Sequence, residues 1–360
     1  MKRALNFNAG PAALPLSVLQ EAEKNWLNYN GSGMAVMELS HRSKEYEAIH
    51  QQAQDLLRSI LSIPDSYEIL FIQGGASLQF SMVPMNLITE GKAGNYVLTG
   101  AFADKALQEA EKIGPTYVAA STKKENYRFI PNVNDIELSK DAAYLHITSN
   151  NTIFGTQWTQ FPSNKEVPLI ADMSSDILSK AINVEDFDLI YAGAQKNLGP
   201  SGVTVVMMNK KLLSNLNSSL PTMLNYNTFA KNNSLYNTPP TLAIYLLKLV
   251  LEWVEQEGGL PIIEKRNEEK AKILYDCMDE SEGFYIGHAE KYCRSKMNVT
   301  FNLKDEEASK SFLQQAKEAG FIGLNGHRSV GGCRASIYNA VPVEHVEQLA
   351  HFMKAFKNNY

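Results

Sequence analysis

The sequence predicts an α/β fold with a large, mostly parallel sheet that has helices on both faces, plus a smaller C-terminal α+β domain. The chain has 360 residues, of which 44% are apolar, and this is enough to build about two domains. Short apolar runs recur without strict alternation, as in strands that are buried on both faces of a sheet. Segments with helical periodicity fall between several of these runs.

The first clear helix begins near Ser43 and carries apolar residues on one face. The next apolar run, residues 67–72, predicts a strand. This run ends at a glycine turn, residues 73–77, and helical spacing resumes over residues 78–87. The sequence therefore predicts a strand, a glycine turn and a helix in direct succession.

The same alternation continues along the chain. Further strands are predicted over residues 95–98, 116–120, 143–148, 168–171, 188–192 and 203–208, with a helix over residues 102–113. A long apolar helix over residues 239–256 stops at Gly258 and Gly259, which indicates a domain boundary. The remaining predictions are a helix over residues 260–278, a strand over 297–303, a helix over 305–319, a strand over 333–337 and a helix over 342–356. We therefore expect a large domain over residues 15–257 and a small domain formed by residues 1–14 and 258–360.

Charge and composition argue against several classes of protein. The 34 Lys and Arg against 39 Asp and Glu give a formal net charge of −5 without a long basic block, so nucleic acid is not an expected partner. The most apolar stretch, residues 243–254, is shorter than the roughly 20 residues that span a bilayer. Cys277, Cys293 and Cys333 lack metal-ligand spacing, and the first residues lack an apolar signal core. We expect a reduced, cytoplasmic protein without a metal site.

Two charged residues follow apolar runs that we predict to be strands. Asp172 comes after residues 168–171, and Lys196 comes after residues 188–192 among small residues. Because the carboxyl ends of parallel strands form the ligand-binding edge of an α/β sheet, we expect both side chains in one crevice, although an exposed ion pair is an alternative. An amine with a lowered pKa can form an imine with an aldehyde, and a carboxylate can keep a pyridine nitrogen protonated. Lys196 and Asp172 fit these two roles.

Several motifs, spread over nearly the whole chain, carry a family resemblance. They are residues 6–12, 38–43, 73–77, 149–155, 194–197, 236–240 and 326–339. In these motifs the sequence resembles the fold-type I pyridoxal-phosphate enzymes, and among them the class V aminotransferases of the phosphoserine aminotransferase type. The resemblance implies pyridoxal 5'-phosphate as the cofactor, joined to Lys196 as a Schiff base, and a homodimer with shared active sites.

The resemblance also implies which residues bind the cofactor. They are Ala76 and Ser77 at the phosphate, Phe102 against the ring, Thr152 and Gln195 as supports, Asp172 and Lys196 as catalytic residues, and Asn237 and Thr238 at the cofactor of the neighbouring subunit. A glycine turn at a helix start can bind phosphate through its backbone N–H groups, although it is more often only a tight turn. Phe102 stands where many family members have Trp, and Ser77 stands where some have Arg.

Basic residues predict the substrate site. The resemblance assigns His41, Arg42, His327 and Arg328 to the substrate phosphate or the distal carboxylate of glutamate, and Arg334 to the α-carboxylate. Arginine suits both ligands because it binds carboxylate and phosphate through two parallel hydrogen bonds. Any one of these residues alone would be interpreted as an ordinary surface cation. A substrate with two anionic groups, however, needs two cationic sites, and the sequence supplies enough cations for both.

By this resemblance we expect transfer of an amino group between L-glutamate and 3-phosphohydroxypyruvate, giving O-phospho-L-serine and 2-oxoglutarate in L-serine biosynthesis. The four-carbon homologue 4-phosphohydroxythreonine, in pyridoxal phosphate biosynthesis, is a further expected substrate. Two alternatives stay open at this point. One is a cysteine desulfurase with Cys333 as the sulfur-accepting thiol, although a lone cysteine is more often structural. The other is a pyridoxal-phosphate binder or carrier without catalytic activity.

Overall fold

The computed structural model describes residues 3–163, 166–217, 219–328 and 330–360. The strands are β1 (Leu5–Asn6), β2 (Tyr67–Ile72), β3 (Ala93–Leu98), β4 (Thr116–Ser121), β5 (Ala142–Thr148), β6 (Asn150–Asn151), β7 (Thr156–Gln157), β8 (Leu169–Asp172), β9 (Leu189–Gly193), β10 (Thr204–Asn209), β11 (Tyr285–Gly287), β12 (Asn298–Leu303), β13 (Phe321–Ile322) and β14 (Cys333–Ser336). The helices are α1 (Leu16–Lys24), α2 (Lys44–Ile60), α3 (Gly75–Leu87), α4 (Ala101–Ala110), α5 (Lys210–Leu213), α6 (Tyr226–Lys231), α7 (Thr241–Gln256), α8 (Leu260–Asp279), α9 (Glu306–Glu318) and α10 (Val343–Asn359).

A seven-stranded sheet forms the centre of the molecule, in the order β2-β10-β9-β8-β5-β3-β4. Strand β10 runs antiparallel to β2 and β9, and the other neighbouring pairs are parallel. On β2, Ile69 and Phe71 pack into the core under α2 and α7, whereas Leu70 and Ile72 pack into the core under α3, α4 and α6. The predicted mostly parallel sheet with helices on both faces is therefore confirmed, and burial of both faces explains the continuous apolar runs.

The edge strand β4 differs from the prediction of strands buried on both faces. Tyr117 is 40% exposed and Val118 is 42% exposed, because β4 has a neighbour on one side only, β3. The helix predicted over residues 102–113 also ends early, at Ala110, and a turn follows. The exposure of β4 is expected at the edge of a sheet, where apolar neighbours cover one side of the strand only.

A three-stranded antiparallel sheet, in the order β11-β12-β14, forms a second and smaller layer with α8, α9 and α10. The N-terminal segment joins this part of the molecule, since Phe7 lies in its core and β1 pairs in parallel with β13. The predicted α+β character of the C-terminal part is thus confirmed. The domain limits at residues 15 and 257 stay a prediction.

Lys270 links α8 to the chain that follows β14. Its side chain is buried, at 1% exposure, and its ammonium group donates hydrogen bonds to the carbonyl oxygens of Ile337 (2.9 Å), Tyr338 (2.7 Å) and Val341 (3.1 Å). Burial lowers the pKa of this amine to about 7. Because buried carbonyl oxygens need hydrogen-bond donors, this one side chain satisfies all three of these carbonyl oxygens.

We predict that Lys270→Met lowers the free energy of unfolding by about 3 kcal/mol, because carbonyl oxygens then remain buried without a donor. Urea unfolding followed by circular dichroism measures the change. Lys272→Met is the matched control on the same helix, since Lys272 is exposed and pairs with Asp276 at the surface. An equal shift of the two unfolding midpoints would contradict a structural role for Lys270.

Candidate active site

A cavity of about 270 Å³ opens at the carboxyl edge of the central sheet. Thr148 ends β5 and Asp172 ends β8, and both line this cavity. Of the predicted site residues, the structure brings together Ala76, Ser77, Phe102, Thr152, Asp172, Gln195, Lys196, His327 and Arg334 around it. The expected crevice is therefore present where parallel strands place ligands.

The carboxylate of Asp172 lies on the sheet side of the cavity and is only 5% exposed. Its Oδ1 accepts hydrogen bonds from the backbone N–H of Ser174 (2.9 Å) and from the Ser174 hydroxyl (2.6 Å). Burial raises the pKa of Asp172, and the Ser174 donors and the positive charge of Lys196 partly oppose this rise. A cationic group in the cavity would therefore stabilise this carboxylate strongly.

The amine of Lys196 lies within the same cavity. Its Nζ donates a hydrogen bond to the Thr152 hydroxyl (2.7 Å) and lies 5.2 Å from the centre of the Phe102 ring. Burial lowers the pKa of Lys196 to about 8, with the charge of Asp172 opposing and the charge of Arg334 reinforcing the shift. The amine is thus prepared for nucleophilic attack near neutral pH.

A glycine with an unusual backbone conformation, Gly10, lies beside the lysine. A Cβ atom on Gly10 would lie 3.4 Å from the Cγ of Lys196, and Gly10 has a φ of +144°, which side chains with a Cβ rarely adopt. The contact distance is ordinary, so it is the backbone conformation that favours glycine at this position. The N-terminal motif that contains Gly10 therefore forms one wall of the cavity.

The glycine turn after β2 supplies the opposite wall. Gly74 caps α3 with a φ of 92°, and the first helical residues, Gly75, Ala76 and Ser77, line the cavity. A Cβ on Gly74 would lie 2.7 Å from the Leu78 side chain, so the turn requires glycine. Free N–H groups and the dipole at this helix end favour an anion such as phosphate.

Arg334, on β14, reaches the cavity from the small sheet. One Nη1 N–H donates to the carbonyl oxygen of Thr152 (3.4 Å), and the buried Nε has no acceptor among the residues that the structure describes. A guanidinium that lines a cavity and keeps an unused N–H is suited to a carboxylate. His327 lines the same cavity, and burial, reinforced by the charges of Arg334 and Arg328, lowers the pKa of His327.

The other predicted residues lie apart from this cavity. Arg328 is exposed beside His327, next to Ser329, which lies outside the described residues. Asn237, Thr238, His41 and Arg42 gather at a second place. The hydroxyl of Thr238 lies 3.3 Å from Nδ1 of His41, and Arg42 contacts the same imidazole at 3.4 Å. This exposed cluster (His41, Arg42, Asn237 and Thr238) does not line the cavity of its own chain.

The structure also adds residues that sequence reasoning missed. Ala9, Gly10, Phe80, Thr148, Asn150, Ile153, Ser174 and Ser175 line the cavity as well. Several of them lie inside the motifs that carried the resemblance, so those motifs were the available signal. Ser174 had a signal of its own, because a hydroxyl two residues after a strand-end aspartate can bond to its carboxylate.

Cys333 does not belong to the site. The neighbouring Arg334 faces the cavity, whereas the Cys333 side chain is fully buried in the core of the small sheet. Burial raises the pKa of this thiol to about 12. A protonated and inaccessible thiol is a poor sulfur acceptor, so the desulfurase alternative has no support in this geometry.

The model of the aminotransferase class-V family matches residues 4–349. The chain belongs to this family. Among class-V relatives, it is 65% identical over 360 residues to the phosphoserine aminotransferase of Geobacillus kaustophilus, with 100% of each chain covered. It is 62% identical over 357 residues to the phosphoserine aminotransferase of Bacillus subtilis, with 99% of each chain covered.

Solved structures of class-V aminotransferases agree with the fold. A phosphoserine aminotransferase from Bacillus circulans subsp. alkalophilus has a TM-score of 0.98 and 54% identity, covering 100% of this chain and 99% of that chain. A phosphoserine aminotransferase from Trichomonas vaginalis with bound pyridoxal phosphate has a TM-score of 0.93 and 39% identity, and the match covers 98% of this chain and 100% of that chain. The predicted family and fold are therefore confirmed.

We predict that the Lys196 amine becomes reactive around pH 8, because only the neutral amine is a nucleophile and burial lowers its pKa to about 8. Protein freed of bound carbonyl compounds is labelled with a trace of acetic anhydride at increasing pH, and peptide mapping gives the labelling rate of each lysine. Lys310 is the control, since its pairing with Glu306 raises its pKa. Coinciding midpoints for Lys196 and Lys310 would refute the shift.

Proposed function

We propose that this chain is a pyridoxal-phosphate-dependent aminotransferase that interconverts 3-phosphohydroxypyruvate plus L-glutamate with O-phospho-L-serine plus 2-oxoglutarate, in L-serine biosynthesis. The observation that carries the proposal is one cavity that holds the activated amine of Lys196, the buried carboxylate of Asp172 and the guanidinium of Arg334. Relatives that are 65% and 62% identical over nearly the full chain bear the name of this activity.

Pyridoxal phosphate supplies an aldehyde that combines with an amine and a protonated ring that withdraws electrons from the substrate carbon. The residues present fit this group. Lys196 would hold its aldehyde, Asp172 its ring nitrogen, Phe102 its ring face, the α3 N-terminus with Ala76 and Ser77 its phosphate, and Thr152 and Gln195 would support it. Both Ser174 donors use Oδ1 of Asp172, so Oδ2 is available to the ring nitrogen.

Lys196 would also move the proton. As a free amine with a pKa of about 8, it can take a proton from the substrate Cα and return it at a different atom. The Thr152 hydroxyl lies 2.7 Å from Nζ and fixes the position of the amine. Phe102, whose ring centre lies 5.2 Å from Nζ, covers one side of this amine.

Two separate cationic sites match a substrate with two anionic groups. Arg334 would bind the α-carboxylate through its guanidinium, which lines the cavity. His327 and Arg328 would bind the phosphate or the distal carboxylate of glutamate together with His41 and Arg42. Because His41 and Arg42 lie away from the cavity of their own chain, we propose that they act in the site of a second subunit.

An exposed apolar surface supports the proposed homodimer. Trp26, Leu27, Met34, Met37 and Tyr236 are large apolar side chains that stay exposed, with Leu27 at 81%. This surface is continuous in sequence with the exposed cluster, since residues 26–37 lead to His41 and Tyr236 directly precedes Asn237. Exposed apolar surface next to functional residues is typical of a subunit interface.

We place the enzyme in the cytoplasm because its three cysteines are buried free thiols, as a reducing compartment allows. Among the described helices, none has the length and apolar character that crossing a membrane requires.

We predict that O-phosphoserine converts the bound cofactor of the purified protein to its aminated form, which bleaches the yellow absorbance band. Lys196→Ala should fold normally, as judged by circular dichroism, but lose both the yellow band and turnover. Lys124→Ala, at an exposed position, is the control and should behave as the parent protein. Serine and inorganic phosphate, added separately, should leave the band unchanged. A band that persists with O-phosphoserine would favour a non-catalytic carrier.

We predict that sites are shared between subunits, so that two inactive variants complement each other. Lys196→Ala and Arg42→Ala homodimers should each be nearly inactive. When both chains are co-expressed, random pairing should restore about a quarter of the parent activity, because about half of the dimers carry one intact site. Absence of any recovery in a mixed dimer that is shown to form would mean that each subunit builds its site alone.

A further inference from the structure

Residues 234–238 lie beside the outer edge of β2, the first strand of the central sheet, and carry half of the exposed cluster. Two hydrogen bonds hold them there. The Ser234 hydroxyl accepts from the backbone N–H of Phe71 (2.9 Å), and the side-chain amide of Gln73 donates to the carbonyl oxygen of Thr238 (3.0 Å). Ser234 is buried, whereas Gln73 and Thr238 are exposed. Gln73 is therefore the exposed one of two anchors for this segment.

The carbonyl oxygen of Thr238 depends on Gln73. The next two residues, Pro239 and Pro240, have no backbone N–H to donate. Among the described residues, the Gln73 amide is the one hydrogen-bond donor to this carbonyl. Without that amide, the part of the segment beyond Ser234 would keep its position only through the start of α7.

Contacts continue from Thr238 into the rest of the exposed cluster. The Thr238 hydroxyl lies 3.3 Å from Nδ1 of His41, and Nε of Arg42 donates to Nε2 of the same ring (3.4 Å). In the chain, Gln73 directly precedes Gly74, the N-cap of α3. One side chain thus joins the turn at its own cavity to the cluster that lies away from that cavity.

We propose that Gln73 is a positioning residue that acts across the subunit interface. It fixes Thr238, and with it the exposed cluster, for the cofactor site of the neighbouring subunit. This inference rests on the proposed function, in which two subunits share their sites, and on the resemblance that assigns Asn237 and Thr238 to the neighbouring cofactor. Its effect on the site of its own subunit should be small, because its side chain bonds to Thr238 and not to the glycine turn.

Heterodimers can separate the effects on the two sites. Gln73→Met keeps the length of the side chain but removes the N–H donor. In a heterodimer with one Lys196→Ala chain, only the site that keeps Lys196 forms the yellow band with pyridoxal phosphate. Titrating the cofactor-free heterodimer and following this band gives the dissociation constant of that one site. The reference is a heterodimer of a Lys196→Ala chain and a parent chain, purified through a different tag on each chain.

The position of the Gln73→Met change should decide the result. On the Lys196→Ala chain, it alters the cluster that the remaining site receives, and the dissociation constant should rise about fivefold, the effect of one lost hydrogen bond. On the chain that keeps Lys196, the same change should leave the constant at the reference value. Gln51→Met is the matched control on either chain, since the Gln51 amide bonds to Asp55 on the exposed side of α2 (2.8 Å).

The opposite pattern, with weaker binding only when Gln73→Met lies on the chain that keeps Lys196, would overturn the proposal in favour of a local role at the glycine turn. Equal weakening in both arrangements, or none in either, would overturn it as well. Failure of the proposed function shows itself separately. A parent protein that forms no yellow band would contradict the cofactor, and absence of complementation between Lys196→Ala and Arg42→Ala would contradict shared sites.

Discussion

The site depends on the balance between burial, which favours the neutral forms of Asp172 and Lys196, and the attraction between their opposite charges. A carboxylate or an ammonium group loses its hydration when it is buried, and either one alone would tend toward its neutral form. In this chain the charge of Lys196 lowers the pKa of Asp172, and the charge of Asp172 raises the pKa of Lys196. Burial lowers the pKa of the Lys196 amine to about 8 and raises the pKa of Asp172. Ionisation of Asp172 therefore depends on the hydrogen bonds that Ser174 donates.

The second requirement is a fixed relation between the central sheet and the small sheet, because Arg334 comes from the latter. Buried amide groups provide this relation. Asn150, which follows β5, donates to Asn298 on β12 (2.8 Å) and accepts from the Ser295 hydroxyl (2.6 Å). Strand β12 in turn pairs with β14, which carries Arg334 opposite Thr300. Such satisfied buried networks are rigid and define one arrangement, so the guanidinium reaches the cavity at a set position.

The sequence predicted those features of the structure that depend on a short segment of the chain. The limits of β2 agree with the predicted run because a buried strand between polar turns has a clear beginning and end. The prediction that β4 is buried on both faces was wrong, since the composition of this strand does not reveal that it lies at the sheet edge. Asp172 and Lys196 were predictable because each follows a strand. The buried contact between His146 on β5 and the Tyr191 hydroxyl on β9 (2.8 Å) gave no signal, because a polar residue inside an apolar run does not identify its partner.

By itself the sequence determined the strands of the central sheet, the helices of ten residues or more, the α/β class, and the family whose motifs the chain carries, whereas short elements such as β1 and α1 were not predicted. Periodicity, turn chemistry and motifs are properties of short segments, so they are readable without coordinates. Only the tertiary structure decided which distant residues are in contact. Arg334 donates to the carbonyl oxygen of Thr152, and His41 contacts the Thr238 hydroxyl away from the cavity of the same chain. These contacts join segments that are far apart in the chain, and their geometry follows from packing that no single segment encodes.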